Sequence, residues 1–327
     1  MKELEKHYLP AGPAGDAAGV DESAAVQTTV AAVIVLYRPD PAVFARLIAS
    51  IASQVQKIFV VDNTPGAQAP PAGLEDCACP LAYHANGKNK GLAAAQNLGL
   101  EQAICHGFTH VLLLDQDSTL PPGAVDGLLA AEQALLRQGR PVAAVGPLYI
   151  DEKTGERSRG VRHSWIHIRW DPIPLDKTEP VLTDYVIASG SLIRTSVLLH
   201  VGLMRDELFI DWVDTEWSYR ANSYGYEAYI VPTVSMRHNV GDATGHFLGR
   251  RFNLHNPIRN YYIVRNAVYL LKDSRMSPRW RFTMLIYVPK YILVHAWLSR
   301  DRWSSFKQML RGAFEGLTGR MRQLSAS

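Results

Sequence analysis

Residues Val111 to Ser118 read Val-Leu-Leu-Leu-Asp-Gln-Asp-Ser. Four apolar residues run into two carboxylates, Asp115 and Asp117, separated by one residue. Acids at that spacing can hold a hard divalent cation through oxygen, because Mg²⁺ takes one or two carboxylates together with substrate phosphates and keeps several waters. The competing reading is a solvated turn with two surface acids. A second dense stretch, Glu207 to Arg220, reads Glu-Leu-Phe-Ile-Asp-Trp-Val-Asp-Thr-Glu-Trp-Ser-Tyr-Arg. Asp214, Trp217 and Arg220 fall at helical spacing, with Asp211 and Asp214 one turn apart on one face. A carboxylate near a helix start beside aromatic rings is a candidate general base, since desolvation by tryptophan would raise its pKa. The alternative makes Asp214 a capping acid with Arg220 as its ion-pair partner.

These residues need elements to position them. The run Val111–Leu114 predicts a strand buried on both faces, stopped by Pro121-Pro122. Val30–Leu36 and Lys57–Asp62 predict two more such strands, joined by a helix from Pro41 to about Ser53 whose apolar face carries Phe44, Leu47, Ile48 and Ile51. Leu81–His84 predicts a weak third strand. The order is β-α-β, so the strands are expected to pair in parallel. Three strand ends are then polar: Tyr37-Arg38, Asp62-Asn63 and Asp115–Asp117. In a parallel sheet they share one edge, where ligands of open α/β sheets bind. Asn86 to Asn97 reads as a loop entering a helix whose first N–H groups, after Gly91, would face an anion. No Gly-x-Gly-x-x-Gly turn follows the first strand and no Gly-Lys-Ser/Thr loop occurs, which disfavours dinucleotide and P-loop readings.

Further along, Val125–Arg137 reads as a helix and Val142–Pro147 as a strand. Residues 151–177 read as a long connection or hairpin. Val186–Ile193 reads as a strand pair or strand-turn-helix, whose small residues Ser189 and Gly190 would let a group approach the backbone. His238 ends a strand and could complete a metal shell or be structural. Arg259, Tyr262 and Asn266 lie along one side of a helix, where arginine suits phosphate, the alternative being a solvated basic face.

The 327 residues are 47% hydrophobic, ample for one large domain or two smaller ones. Net charge is only +3, but from Lys272 onward eleven basic residues stand against three acids. Such a tail meets anionic membranes or nucleic acid. Three cysteines, Cys77, Cys79 and Cys105, provide no disulfide framework and fit a reducing compartment. No signal peptide is visible and residues 1–28 read as disordered. The apolar stretch Trp280–Trp297, interrupted by Pro289, falls short of the ~20 residues that span a bilayer. Its flanking Trp and Arg residues fit an interfacial helix, with a core helix as the alternative.

Val-Val-Asp-Asn at 60–63, Asn-x-Gly-x-Ala-x-x-x-Asn from Asn89, Asp-x-Asp at 115–117, Leu-Phe-Ile-Asp-x-Val-Asp-Thr-Glu-Trp at 208–217 and Arg-x-Tyr-Tyr-x-x-Arg-Asn from Arg259 together resemble the inverting glycosyltransferases of family 2. Within it they are most similar to bacterial rhamnosyltransferases that use dTDP-L-rhamnose, over roughly Val30 to Lys272. The resemblance implies a GT-A fold: a Rossmann-like α/β architecture with a mostly parallel central sheet, flanking helices and a C-terminal helical extension. Its domain would span 29–272, followed by a basic, membrane-associating extension over 273–327. By the same resemblance, Tyr37, Arg38, Asp62 and Asn63 contact the nucleotide. Asn89 and Gly91 lie by the nucleotide and diphosphate. Asp115 and Asp117 bind Mg²⁺ or Mn²⁺ and the sugar nucleotide, with His238 near the metal. Asp214 is the base, with Asp211 as the alternative because Val213 stands where the family has Glu. Ser189, Gly190, Glu216, Trp217, Arg259, Tyr262 and Arg265 complete the substrate-binding set.

The implied reaction is a metal-assisted single displacement moving L-rhamnose to a lipid-linked or envelope glycan of O-antigen type. A rhamnolipid-type glycolipid is the alternative acceptor. The enzyme would be cytoplasmic and peripheral on the anionic inner membrane. Two rivals of other classes are a non-catalytic nucleotide-sugar-binding module and a nucleic-acid binder. The second would show a steep salt dependence, and an acid-lined crevice argues against it.

Overall fold

A computed structural model of the chain describes residues 27–71, 77–151, 155–238, 243–247, 250–299, 301–321 and 323–324; for 238, 243–247 and 250–254 it describes the backbone alone. All but the last two residues of the segment expected to be disordered lie outside the described residues. The chain runs β1 (Val30–Leu36), α1 (Pro41–Ile51), β2 (Lys57–Asp62), β3 (Leu81–Ala85), α2 (Leu92–Cys105), β4 (His110–Asp115), α3 (Ala124–Arg137) and β5 (Val142–Asp151). It continues through β6 (Arg159–His163), β7 (Ile168–Pro172), β8 (Val181–Thr183), β9 (Leu192–Arg194), α4 (Thr195–Val201) and α5 (Val213–Ser223). Last come β10 (Glu227–His238), β11 (Ala243–Phe247), β12 (Arg250–Leu254), α6 (Pro257–Leu270), α7 (Pro278–Leu298) and α8 (Arg302–Thr318).

Eight strands form one sheet in the order β3-β2-β1-β4-β9-β5-β10-β8. β1 pairs in parallel with both β2 and β4, and β2 with β3. β9 is antiparallel to β4 and β5, and β8 to β10. The sheet is therefore mostly parallel, with a reversed strand at its centre. β1 shows why the apolar runs are unbroken. Val30, Ala32, Ile34 and Leu36 pack with α1 and α3, while Ala31 and Val33 pack on the opposite face with α2, α4 and α5. Burial on both faces removes the alternation that a half-exposed strand shows.

Local signals set the helix starts. Asp40 caps α1 by accepting from the N–H groups of Ala42 and Val43, with Pro41 in the first turn. Asn256 caps α6 and Ser277 caps α7 in the same way. The stretch 186–193 resolves as a loop into β9 and then α4, and 151–177 contains the hairpin β6–β7.

The C-terminal helices pack on α6 through Val264, Val268, Val288, Tyr291, Ile292 and Met309. The expected break at Pro289 is absent: α7 continues through it. The proline removes one N–H donor, but Leu285, whose carbonyl loses it, is exposed. α7 is two-faced, with Trp280, Met284 and Tyr291 buried and Phe282, Leu285, Leu293 and Trp297 exposed. Among the described residues no helix is long and apolar enough to cross a membrane. All three cysteines are free thiols.

Candidate active site

The register puts the polar strand ends side by side. Val35 of β1 stands opposite Asp115 and Leu36 opposite Asp62. Beyond them Gln116 binds both ways across the gap, its Oε1 accepting from Tyr37 N at 2.8 Å and its Nε2 donating to Tyr37 O at 3.3 Å. Arg38 N donates to Thr64 Oγ1 at 2.7 Å. The Tyr37 ring is 40% exposed, with the Arg38 guanidinium 5.4 Å from its centroid. Together they form an open platform above a buried floor. Asp62 lies in that floor, accepting from Thr64 N at 2.7 Å and Tyr83 OH at 2.9 Å. Burial first, then the bond to Asp62, pushes the Tyr83 hydroxyl well above its ordinary pKa, so it stays a donor.

Asp214 and the Asp115 rim are joined through consecutive residues. Ala188 N donates to Asp214 Oδ2 at 3.2 Å, and Ser189 Oγ accepts from Asp115 N at 3.2 Å. Neighbouring Cα atoms lie 3.8 Å apart, so one short segment holds the base candidate beside the metal candidate. Ser189 also bonds Ser118 Oγ. Gly190 adopts φ +83, and a Cβ there would lie 2.6 Å from Pro147 Cγ. The close approach expected at Gly190 is thus made by the chain's own Pro147.

Desolvation raises the pKa of Asp214, opposed by the N–H bonds from Thr215 and Ala188 and aided by the charge of Asp211. Burial first, then the nearby charge of Asp214, raises the hydroxyls of Tyr149 and Tyr185 as well. Asp211 differs: Arg259 Nη2 sits 3.1 Å from its Oδ1. Asp214, by contrast, has no ion pair among the described residues.

The sequence profile of glycosyl transferase family 2 matches residues 32–202, which carry most of β1, all of β2–β9, Asp62, the Asp115–Asp117 pair and Ser189. The chain belongs to glycosyl transferase family 2. It is a glycosyltransferase, and its fold is the GT-A-like α/β fold that the resemblance implied. The dTDP-rhamnosyl transferase RfbF of Shigella flexneri is 27% identical over 308 residues, covering 90% of this chain and 97% of that protein. A solved structure of S. aureus TarS, residues 1–349, superposes with a TM-score of 0.54 at 14% identity, covering 90% of this chain and 82% of that one. GalNAc-T7, solved with UDP, GalNAc and Mn²⁺, superposes with a TM-score of 0.53 at 16% identity; the match covers 90% of this chain and 58% of that one.

Within this family 2 fold, several expected roles change. At the N-terminus of α2, Leu92 N donates to Phe209 O at 2.6 Å. Gly91, at φ +91, is needed because a Cβ would sit 2.5 Å from the Phe209 ring. Asn63 bridges the same region, donating to Gly91 O at 2.8 Å and accepting from Asn86. Asn89 Oδ1 accepts from Gly91 N, and its carbonyl accepts from Gln323 near the chain end. Gly91, Asn63 and Asn89 therefore build the rim.

Asp211 and Asp214 do not share a helix face, because α5 begins at Val213. Phe209, Asp211 and Trp212 all have positive φ, a sparsely populated conformation for such residues. α6 holds this strained turn. Asn266 Nδ2 donates to the carbonyls of Leu208, Ile210 and Asp211, Arg265 Nη2 to those of Glu207 and Leu208, and Tyr262 stacks on Phe209. Arg265 is fully buried and clamps the turn. Only Arg259 of the expected trio reaches the crevice, through Asp211.

Arg220 pairs with Glu216 at 2.9 Å, not with Asp214. Both are buried, as is Trp217, whose Nε1 donates to Gly202 O. Glu216 and Trp217 are thus occupied by buried contacts, with Arg220 and with the Gly202 carbonyl. The backbone of His238 ends β10 opposite Asp151, and Thr119 bridges Arg237 beside it; its side chain lies outside the described atoms.

Among the described residues no three His, Cys, Asp or Glu side chains cluster as a metal site. Asp115 and Asp117, half-buried at the crevice mouth, still fit a cation of the Mg²⁺ type. Such an ion needs only one or two carboxylates and takes its other ligands from phosphate and water. Sequence reading missed Tyr83, Gln116, Tyr149, Tyr185 and the Phe209 carbonyl. Gln116, between two acids of the motif, was the one with a sequence signal.

Proposed function

We propose that the enzyme transfers L-rhamnose from dTDP-L-rhamnose, with inversion, to a hydroxyl of a lipid-linked or envelope glycan. The observation that carries the reading is the pairing of Asp214 and Asp115 through Ala188 and Ser189. It sets a desolvated acid with no cation partner among the described residues beside two rim carboxylates, and the likeness to the Shigella dTDP-rhamnosyl transferase supplies the donor. Tyr37 and Arg38 take the nucleotide from above and Asp62 from the floor. Asp115 and Asp117 would hold Mg²⁺ or Mn²⁺, which when bound supplies Lewis-acid neutralisation of the diphosphate.

Asp214 Oδ accepts the acceptor's hydroxyl proton. The hydroxyl oxygen then attacks the anomeric carbon on the face opposite the diphosphate. That bond forms as the sugar–phosphate oxygen bond breaks, and its electron pair leaves with dTDP. Arg259 holds Asp211 and keeps Asp214 the available base.

The exposed apolar face of α7 and α8, with Trp297, Trp303 and Phe314 among basic side chains, supports peripheral contact with an anionic membrane at its cytoplasmic side. The test is nucleoside diphosphate release across a panel of sugar nucleotides, with lipid-linked and free glycan acceptors. Acceptor-dependent dTDP release from dTDP-L-rhamnose supports the reading. dTDP binding without release under any acceptor overturns it in favour of a binding module.

A further inference from the structure

We propose that the hollow under hairpin β6–β7 is a second ligand site, built for an anionic saccharide. It measures about 560 Å³, within the ≈ 300–1,000 Å³ typical of small-molecule sites. Its walls come from β6, the C-terminal end of α5 and the turn into α7. It is lined by other residues than the rim but lies close to it: Tyr219, in its wall, follows Asp214 by five residues on α5, roughly 7–8 Å at helical rise.

The charge balance of the hollow favours an anion. Its two acids are already occupied: Glu227 is held by Arg140 at 2.6 Å, and Asp184 accepts from Tyr219 OH at 2.8 Å and pairs with His163. Arg275 is locked to Asp273 at 2.9 Å. Arg162 and Arg279 are exposed, line the hollow, and enter no ion pair among the described residues. The first turn of the long helix α7, capped by Ser277, adds its positive end to the same wall.

A second, independent observation points to a ligand. The His163 side chain is only 3% exposed. Its Nδ1 is turned to Asp184 and Tyr219, and its Nε2 has no hydrogen-bond partner among the described residues. A buried ring nitrogen without a partner is costly, and His163 is part of the hollow's lining.

The aromatic wall distinguishes a sugar from a bare anion. Trp165 is 57% exposed at the rim, and the Arg279 guanidinium lies 6.0 Å from its ring centroid. A flat apolar indole beside charged donors matches a saccharide ring, which offers a C–H face and an acidic substituent together. Inorganic phosphate would fill neither the volume nor the apolar wall.

The test is titration calorimetry on the full chain with four probes: a uronic-acid oligosaccharide, glucose 1-phosphate, inorganic phosphate and a neutral maltooligosaccharide. Arg162→Ala/Arg279→Ala and Trp165→Ala are compared with the parent, with melting midpoints as the control for folding. We expect saturable binding of at least one acidic sugar, about tenfold or more tighter than the neutral sugar or phosphate. The double arginine variant should weaken it by about tenfold or more and Trp165→Ala severalfold. Absence of saturable binding of either acidic sugar, equal affinity for phosphate or the neutral sugar, or unchanged binding in the double variant overturns the proposal. dTDP titration reads the crevice separately, so failure of the donor reading is seen apart from failure here.

Discussion

Replacing Asp214 with asparagine keeps the side chain's size and removes its ability to take a proton. General-base assistance is worth about 10²–10⁴-fold, or roughly 3–5 kcal/mol of barrier at about 1.4 kcal/mol per decade. Asp214→Asn should therefore lower kcat by that factor while KM for the donor and the dTDP affinity stay within about twofold. The pH profile sharpens the test. Desolvation raises the Asp214 pKa, so the acid limb of kcat should lie above the ordinary carboxylate range near ~3.9 and disappear from the variant's residual activity.

Stability gives an independent readout. A carboxylate whose folded pKa is raised contributes stability that is complete below the unfolded value and is lost as pH climbs through the folded value. The melting midpoint of Asp214→Asn should thus gain on the parent across that window. The amide can replace only one of the two acceptors now used by Thr215 N at 2.7 Å and Ala188 N at 3.2 Å, which offsets the gain by about 1 kcal/mol at every pH. Steady-state kinetics and thermal scans from acid to neutral pH measure both. A kcat within about threefold of the parent, or a larger loss in Asp211→Asn than in Asp214→Asn, refutes the reasoning.

Gly91→Ala should destabilise the fold by about 1–3 kcal/mol and depress turnover, because the methyl meets the Phe209 ring and displaces the turn carrying Asp211; denaturant melts and kinetics on the folded fraction check this. Glu216→Ala should cost about 3 kcal/mol or more in urea melts by leaving the buried Arg220 charge without its partner, with donor KM unchanged. Asp117→Ala, or chelation of the parent, should weaken dTDP binding about tenfold or more in calorimetry. Equal affinity with and without Mg²⁺ would remove the metal role. Leu293→Glu/Trp297→Glu should abolish flotation with anionic liposomes at low salt while leaving turnover on soluble acceptors intact; no flotation by the parent defeats the membrane reading.

The sheet was legible because burial on both faces writes itself as unbroken apolar runs, and parallel pairing then brought the ends at Tyr37, Asp62 and Asp115 together. The site was legible only in part. Side-chain type marked Asp115, Asp117 and Asp214, but not which acids are spent on structure. Glu216 and Asp214 stand two residues apart with the same chemistry, yet one is buried against Arg220 and the other faces the crevice. The left-handed residues Phe209, Asp211 and Trp212 carry no local signal, because contacts from α6, some fifty residues later, hold them there. The same tertiary contacts turned Arg265 into a clamp and gave the α2 N-terminus to a carbonyl. Pattern alone also missed that α7 passes through Pro289, which depends on the exposure of Leu285.

The most direct test of the central claim, a single displacement driven from one rim by Asp214, is the anomeric configuration of the product, read by NMR in a single turnover with dTDP-L-rhamnose. The account predicts a glycosidic bond of opposite configuration to the donor, formed by the parent and lost in Asp214→Asn. A product that keeps the donor's configuration would contradict it.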